Sequence, residues 1–134
     1  MEQSRHYIRP GFVLSRVVNP LVMKLGLIPT LAVRGRRSGE WRTVPVMPIE
    51  YEGSRYLVAP RGETQWARNL RAAGTGELRR GRRKEAFRAV EVDGAEQGRV
   101  VAAYRRKVSG LVKAQFEQLP DPTDHPTFRV EASQ

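Results

Sequence analysis

Residues 35–45 read Gly35-Arg36-Arg37-Ser38-Gly39-Glu40-Trp41-Arg42-Thr43-Val44-Pro45, and the arrangement of the strands follows from this segment. Two glycines frame a turn that carries two adjacent arginines and a serine, and a third arginine follows on the next predicted strand. Glycine permits a tight turn with positive φ, and each guanidinium offers a fixed fork of donors that matches a phosphate. We therefore predict an anion-binding turn between two strands, with a phosphate as its ligand.

Strands flank this turn on both sides. Residues 31–34 lead into the turn, and residues 43–51 follow it as a longer strand. Pro45 and Pro48 cannot donate to a sheet ladder, so they indicate an edge strand, a bulge, or a point where the strand stops pairing to face a ligand.

The remainder of the chain alternates short strands with helices. The predicted elements are a returning strand at 55–59, a helix through 65–73 that Thr64 caps and Gly74 ends, strands at 77–80 and 85–92 around Gly81, helices at 95–108 and 111–119 around Gly110, and a last strand at 128–131. Five or six strands with three or four short helices predict one α+β, mainly β domain over residues 1–134. A closed or split antiparallel barrel is expected, because closure removes exposed sheet edges.

An apolar stripe at helical spacing marks the N-terminal segment 9–28. Val13, Val17, Leu21 and Leu25 recur at four-residue steps, and an Asn-Pro pair divides the stripe. Two short helices are predicted there, which either cover an open end of the core or rest on anionic lipid. The segment is too short and too polar to span a bilayer.

Bulk composition limits the chemistry. The formal net charge of +10 favours an anionic partner: nucleic acid, a membrane surface or a polyanionic small ligand. The chain has no cysteine, and its two histidines, His6 and His125, lack metal-ligand spacing, so we expect no metal and predict both to be surface residues. The start has no apolar region typical of a secretory signal, so a cytoplasmic location is expected.

A second segment, Trp66-Ala67-Arg68-Asn69-Leu70, completes a pattern. Gly-Arg-Arg-Ser-Gly-x-x-Arg-x-x-Pro, then Tyr56-Leu57-Val58-Ala59-Pro60-Arg61-Gly62, then Trp-x-x-Asn-Leu resembles the deazaflavin-dependent nitroreductase family. The resemblance implies a split β-barrel that binds coenzyme F420. It also implies an F420H2-dependent oxidoreductase that transfers a hydride from C5 of the reduced deazaflavin to a small electron-poor substrate, such as an enone, a quinone or a nitroaromatic.

The same resemblance implies binding roles for individual residues of this sequence. It implies phosphate binding by Arg36, Arg37, Ser38 and Arg42, and a deazaflavin ring along the backbone of Val58-Ala59-Pro60-Arg61-Gly62, with Pro45, Trp66 and Asn69 completing the pocket. Pro60 departs from the family pattern, because nitro-reducing members often carry a hydroxyl residue there. Nitro reduction is therefore less expected than coenzyme binding.

The proton that accompanies the hydride has two candidate sources. Solvent is one, and Tyr104, within the predicted helix 95–108, is the other, since family members place substrate-facing tyrosines in this C-terminal region. A partly buried core tyrosine is the alternative interpretation of Tyr104.

Two further functions fit parts of the sequence. The first is a non-catalytic carrier of F420 or of a fatty acid with the same fold, for which Pro60 is the motivation. The second is a nucleic-acid-binding module using Arg79-Arg80-Gly81-Arg82-Arg83-Lys84, although no aromatic residue is interleaved with this cluster. Otherwise the cluster is a solvated hairpin tip or a rim for the oligoglutamate tail of F420.

The sequence also bears on the oligomeric state and the location of the protein. We expect a monomer or a homodimer, and peripheral membrane contact is an alternative through the N-terminal segment. The chain lacks the phosphate-loop, dinucleotide and nucleophile-elbow motifs, so those enzyme classes are disfavoured.

Overall fold

The computed structural model describes residues 28–133, apart from the side chains of Ser109 and Leu111. The predicted N-terminal helices of segment 9–28 lie outside the described residues, except for Ile28. The elements are strands β1 (Thr30–Arg34), β2 (Trp41–Pro45), β3 (Ile49–Tyr51) and β4 (Ser54–Val58), helix α1 (Gln65–Ala73), strands β5 (Thr75–Arg80) and β6 (Arg83–Val92), helix α2 (Gly94–Gln118), a 3-10 turn (Pro122–Asp124) and strand β7 (Thr127–Ala132).

All seven strands form one antiparallel sheet in the order β2-β1-β5-β6-β7-β4-β3. The two edge strands, β2 and β3, are neighbours in sequence, and only Val46, Met47 and Pro48 connect them. The four residue steps from Pro45 to Ile49 span at most about 14 Å, even when the backbone is fully extended. The sheet must therefore curl until its two edges approach each other, which is the geometry of a split barrel.

The predicted single strand over residues 43–51 is wrong in one respect. It is two strands, so the sheet has seven strands rather than five or six. Pro45 and Pro48 flank the gap, and between them Val46 donates its N–H to Pro29 O at 3.0 Å. The prolines mark the point where the chain leaves one edge of the sheet for the other, because neither can donate to a ladder.

Helix α1 has the predicted ends. The Thr64 hydroxyl accepts from the Ala67 N–H at 3.4 Å, and Gly74 ends the helix with φ 73° while its N–H donates to Leu70 O at 2.8 Å. Glycine is needed at that C-terminal position because the left-handed conformation strains other residues.

The predicted interruption of helix α2 is confirmed, although it lies at Val108 rather than at Gly110. One helix runs from Gly94 to Gln118, and its kink is at Val108, with φ −120° and ψ 27°. Val108 is buried whereas Gly110 is exposed.

Two apolar clusters lie on opposite faces of the curled sheet, as the alternation along β4 shows. Leu57 faces the interior, and Tyr56 and Val58 face α2. The interior cluster, here called the barrel core, contains Leu31, Val33, Val46, Leu57, Ala59, Ala67, Leu70, Leu78, Phe87, Phe128 and Val130. The cluster under α2, here called the helix-covered core, contains Ile49, Tyr56, Val58, Val92, Val100, Val101, Tyr104, Val108, Val112 and Phe116.

None of the helices within residues 28–133 has the length and apolar character needed to cross a membrane.

A polar network ties the first turn of α2 to the sheet. Glu96 Oε2 accepts from the Tyr56 hydroxyl at 2.7 Å and from Arg129 Nη1 at 2.8 Å. The hydrogen bond from Tyr56 and then the Arg129 charge hold the pKa of the Glu96 carboxyl below its ordinary value. Ionised Glu96 therefore links β4, β7 and α2.

This network predicts a defined acid dependence. A carboxyl with a lowered folded-state pKa stabilises the fold above its ordinary pKa of 4.5, and that contribution is lost as pH falls through the folded value. Because Glu96 is half-buried, we expect Glu96→Gln to cost about 1 kcal/mol at pH 7 and to flatten the fall in stability towards pH 3. Urea denaturation over this range measures both effects. Parallel pH profiles for the variant and the original chain would contradict the assignment.

Candidate functional site

The arginine turn is closed by its own backbone and by Ser38. Gly35 donates its N–H to Glu40 O at 2.8 Å, and Gly39, with φ 74°, donates to Gly35 O at 2.9 Å. Ser38 Oγ accepts from the Glu40 N–H at 3.1 Å. A Cβ at Gly35 would lie 2.9 Å from Ser38 Oγ, so this glycine leaves room for the serine. Ser38, predicted to contact the phosphate, thus also stabilises the turn.

Arg36 fastens the turn to α1. Its backbone N–H donates to Asn69 Oδ1 at 3.1 Å, and its Nη1 donates to Asn69 Oδ1 at 2.7 Å and to Gln65 Oε1 at 3.0 Å. Asn69 is buried, with 6% of its surface exposed. The two sequence motifs are therefore one structural unit, and the residues predicted to hold the coenzyme, Arg36 and Asn69, hold each other.

Arg37 and Arg42, unlike Arg36, have side chains with no hydrogen-bond partner among the described residues. Both side chains are exposed, and no carboxylate among residues 28–133 pairs with either. Arg42 lies opposite Val33 in the ladder, so it shares the interior side of the sheet. Glutamates pair with many other arginines, namely Arg55, Arg71, Arg79, Arg88 and Arg129. The turn thus presents two guanidinium groups that are available to an anion.

Residues 59–62 form a second fixed segment, here called the ring loop. Ala59 is fully buried, its N–H donates to Pro126 O at 2.9 Å, and its carbonyl accepts from the Gly62 N–H at 3.2 Å. Gly62 is buried with φ 92°, a conformation that favours glycine. Pro60 and Arg61 are half-buried. The side chain of Val58 packs in the helix-covered core, and it is the backbone of this residue that was predicted to lie along the ring.

The turn and the ring loop meet at the start of α1. Gln65, the first residue of that helix, lies three positions after Gly62 and accepts the hydrogen bond from Arg36. Trp66 is half-buried against the barrel core, with its ring centroid 6.1 Å from that of Phe128, so it supports the helix. Pro45 is not brought to the turn, because it ends β2 at the far end of the strand, opposite Thr30.

The structure places Tyr104 in the core. Its side chain is 2% exposed within the helix-covered core, on the opposite sheet face from the barrel core, and its ring centroid lies 6.3 Å from that of Phe116. Burial raises the pKa of the Tyr104 phenol. The expected proton donor thus packs as the core tyrosine that was the alternative interpretation.

His125 is not a surface residue, so that prediction is wrong. It is fully buried, and both ring nitrogens contact backbone carbonyls, those of Ala59 and Leu119. Its burial depends on how the end of α2 packs, which the sequence around it does not reveal. Gln65 was also missed, although a polar residue one turn before Asn69 is a detectable signal.

Residues 80–84 of the basic hairpin tip are all exposed, which is compatible with each of the interpretations of this cluster. One aromatic ring nevertheless lies near it. Trp41, 41% exposed, has Arg34 at 4.3 Å and Arg79 at 5.3 Å from its ring centroid. Sequence spacing could not show this contact, because β1 separates the two outer strands. No group of three His, Cys, Asp or Glu side chains in the described part of the chain is arranged to hold a metal ion.

Residues 13–119 match the sequence profile of the F420H(2)-dependent quinone reductase family. The fold is similar to that of an F420-H2 dependent reductase, FDR-A, at 24% identity and a TM-score of 0.60, covering 78% of this chain and 93% of that one. A structure described as a domain-swapped dimer is 25% identical, with a TM-score of 0.59 and coverage of 78% and 79%.

The heme storage protein HutZ from Vibrio cholerae has the same fold at 13% identity, with a TM-score of 0.59 and coverage of 79% and 81%. The comparison with curated proteins gives no match. These likenesses confirm the predicted α+β split-barrel architecture.

The docking of the turn on α1 predicts the effect of Asn69→Ala. Without Asn69 Oδ1, the Arg36 N–H loses its acceptor in a partly buried place, so we expect a loss of about 1–3 kcal/mol in unfolding free energy. The amide of Arg36 should also exchange faster with solvent. Gln65→Ala is the matched control on the same helix, because Gln65 is exposed and should cost no more than about 0.5 kcal/mol. Equal effects of the two variants would refute the anchoring role.

Proposed function

Because this chain belongs to the F420H(2)-dependent quinone reductase family, we propose that it transfers a hydride from reduced coenzyme F420 to a quinone. Membership makes it an F420H2-dependent oxidoreductase, with F420 as its coenzyme. The choice of a quinone as substrate and the roles of individual residues are the proposal.

The arginine turn supports coenzyme binding most directly. Within residues 28–133, Arg37 and Arg42 present two guanidinium groups without a carboxylate partner, beside a turn that is already closed and already docked on α1. Preorganised donors lose little conformational entropy when an anion arrives. We assign the phosphate of F420 to these two arginines and assign Arg36, Ser38 and Asn69 to positioning them.

The ring loop supports the placement of the deazaflavin. Its conformation is fixed by the hydrogen bonds of Ala59, and Gly62 has no side chain to keep a flat ring away from the backbone. When bound, the reduced coenzyme supplies a hydride, and the quinone gains that hydride and one proton to become a hydroquinone. The protein therefore has to orient the two molecules and exclude water between them.

Solvent is the proposed proton source. Burial of Tyr104 on the other face of the sheet argues against this residue as the donor to a quinone held at the ring loop. Pro60 offers no side-chain donor at the place where a hydroxyl residue would stand. A quinone needs only a proton on oxygen after hydride transfer, which water can supply, and this favours a quinone over a nitro compound.

The first test is an F420 titration followed by coenzyme fluorescence at physiological salt. Arg37→Ala with Arg42→Ala should raise the dissociation constant at least about tenfold, because two charge-assisted hydrogen bonds are lost. The matched control is Arg106→Ala with Lys107→Ala, which removes the same charge from exposed positions on α2 and should leave affinity within about threefold. Equal losses in both double variants would mean that bulk charge, not the turn, attracts the coenzyme.

The second test is turnover of F420H2 with menadione, followed by the reappearance of oxidised F420 absorbance. The enzyme should consume one F420H2 for each menadione reduced, and Tyr104→Phe should keep its rate within about threefold, because a general acid usually contributes about a hundredfold or more. A loss of that larger size would restore Tyr104 as the proton donor. Binding of F420 without any turnover would identify a carrier instead of an enzyme.

A further inference from the structure

Helix α2 bends at Val108 so far that its two halves contact each other. In a straight helix, the twelve residue steps from Tyr104 to Phe116 would cover about 18 Å. The two ring centroids nevertheless lie only 6.3 Å apart, and the Arg105 guanidinium lies 4.9 Å from the Phe116 ring centroid. The non-helical Val108 lies between these contacts in the chain. The second half of α2 therefore folds back towards the first.

A cleft of about 340 Å³ lies where the two halves of α2 approach each other. Its lining residues are Arg105 from the first half and Gly110, Val112, Lys113 and Phe116 from the second. Val112 and Phe116 are buried members of the helix-covered core, so they give the cleft an apolar floor. Because a cavity of about 150 Å³ already holds benzene, this cleft has room for a small organic molecule.

Two cations flank the apolar floor. Arg105 and Lys113 are both exposed, and neither pairs with a carboxylate among residues 28–133. Glu117 lies one helical turn after Lys113, yet the two side chains form no ion pair. The Arg105 guanidinium is held over the Phe116 ring by a cation–π contact. An anion in the cleft would therefore meet two positive charges that no described carboxylate neutralises.

This combination of an apolar floor and two cations selects the chemistry of the ligand. A neutral apolar molecule would fill the cleft without using the cations, and an inorganic anion such as phosphate would bury no apolar surface. A carboxylate on a compact apolar body uses both features, because its oxygens accept charge-assisted hydrogen bonds while its body leaves water.

Gly110 leaves the cleft open. It is exposed, and a Cβ added there would meet no atom within 4 Å. Its backbone does not have a positive φ, so other residues can adopt the same conformation. A larger side chain at this position would therefore enter the cleft without straining the helix.

We propose that this cleft is a binding site for a small apolar carboxylate, which is either a medium-chain fatty acid or an aromatic acid. Arg105 and Lys113 bind the carboxylate group, and the apolar body packs on Val112 and Phe116. None of these residues belongs to the arginine turn or to the ring loop, and the helix-covered core lies on the opposite sheet face from the barrel core. The proposal goes beyond the proposed function and does not depend on F420 binding.

The first experiment titrates the full-length chain with octanoate and, separately, with 1-naphthoate, and follows the backbone amide resonances. Those of residues 105–117 should shift and saturate with a dissociation constant of about 1 mM or lower. The probe with the lower constant identifies the aliphatic or the aromatic acid as the better ligand. If neither probe gives a saturable shift in this segment, or if shifts occur only in the turn at residues 35–39, the proposal is wrong.

The second experiment removes the cations. Arg105→Gln with Lys113→Gln should raise the octanoate dissociation constant at least about tenfold, because the carboxylate loses its charged donors. Arg106→Gln with Lys107→Gln is the matched control, since it removes the same charge from exposed positions on the same helix and should change affinity less than about threefold. Equal losses in the two double variants would overturn the role of Arg105 and Lys113.

The third experiment fills the cleft. Gly110→Leu should abolish octanoate binding, whereas the urea denaturation midpoint should not fall, because leucine favours a helix more than glycine does. Gly98→Leu makes the same change in the first half of α2, where a Cβ also meets no atom within 4 Å, and should leave affinity within about threefold. Octanoate binding that survives Gly110→Leu unchanged would show that the ligand does not occupy the cleft.

Discussion

Two hydrogen bonds into the amide oxygen of Asn69 hold the candidate site together. They come from the backbone and side chain of Arg36, and they attach an exposed turn to a helix whose Ala67 and Leu70 pack in the barrel core. Because Asn69 is itself buried, losing either partner would leave polar atoms unsatisfied. The arginines that face solvent are thus carried by a turn with the rigidity of the core, and an anion can bind without first ordering the loop.

Local signals in the sequence predicted the parts of the fold that local interactions decide. Thr64 and Gly74 bound α1 because a side-chain cap and a left-handed glycine act within one turn of helix. The prolines between β2 and β3 were compatible with an edge strand, a bulge or a point where the strand stops pairing. An isolated proline does not reveal which of these applies or which edge its strand occupies. The burial of His125 depends on packing between distant segments, which no local pattern encodes.

The candidate site shows the same contrast between features that local sequence signals reveal and features that only packing decides. Its segments could be found from the order of motifs, but the division of labour among their residues could not. Arg36 and Arg37 are adjacent and chemically identical, yet the side chain of Arg36 is bonded to Asn69 and that of Arg37 has no hydrogen-bond partner among the described residues. Only the three-dimensional contacts separate the arginine that builds the turn from those offered to a ligand. Tyr104 is a further case, since a tyrosine in an amphipathic helix can face either a substrate or the core.

The most direct test of this account is a crystal structure of the complete chain with oxidised F420. In this crystal the coenzyme phosphate should lie within hydrogen-bond distance of Arg37 and Arg42, and the deazaflavin ring should lie against the backbone of the ring loop. Arg36 should keep its bonds to Asn69 in the complex. A phosphate bound elsewhere, for example along the exposed residues 80–84, or a ring away from residues 59–62, would contradict the central claim.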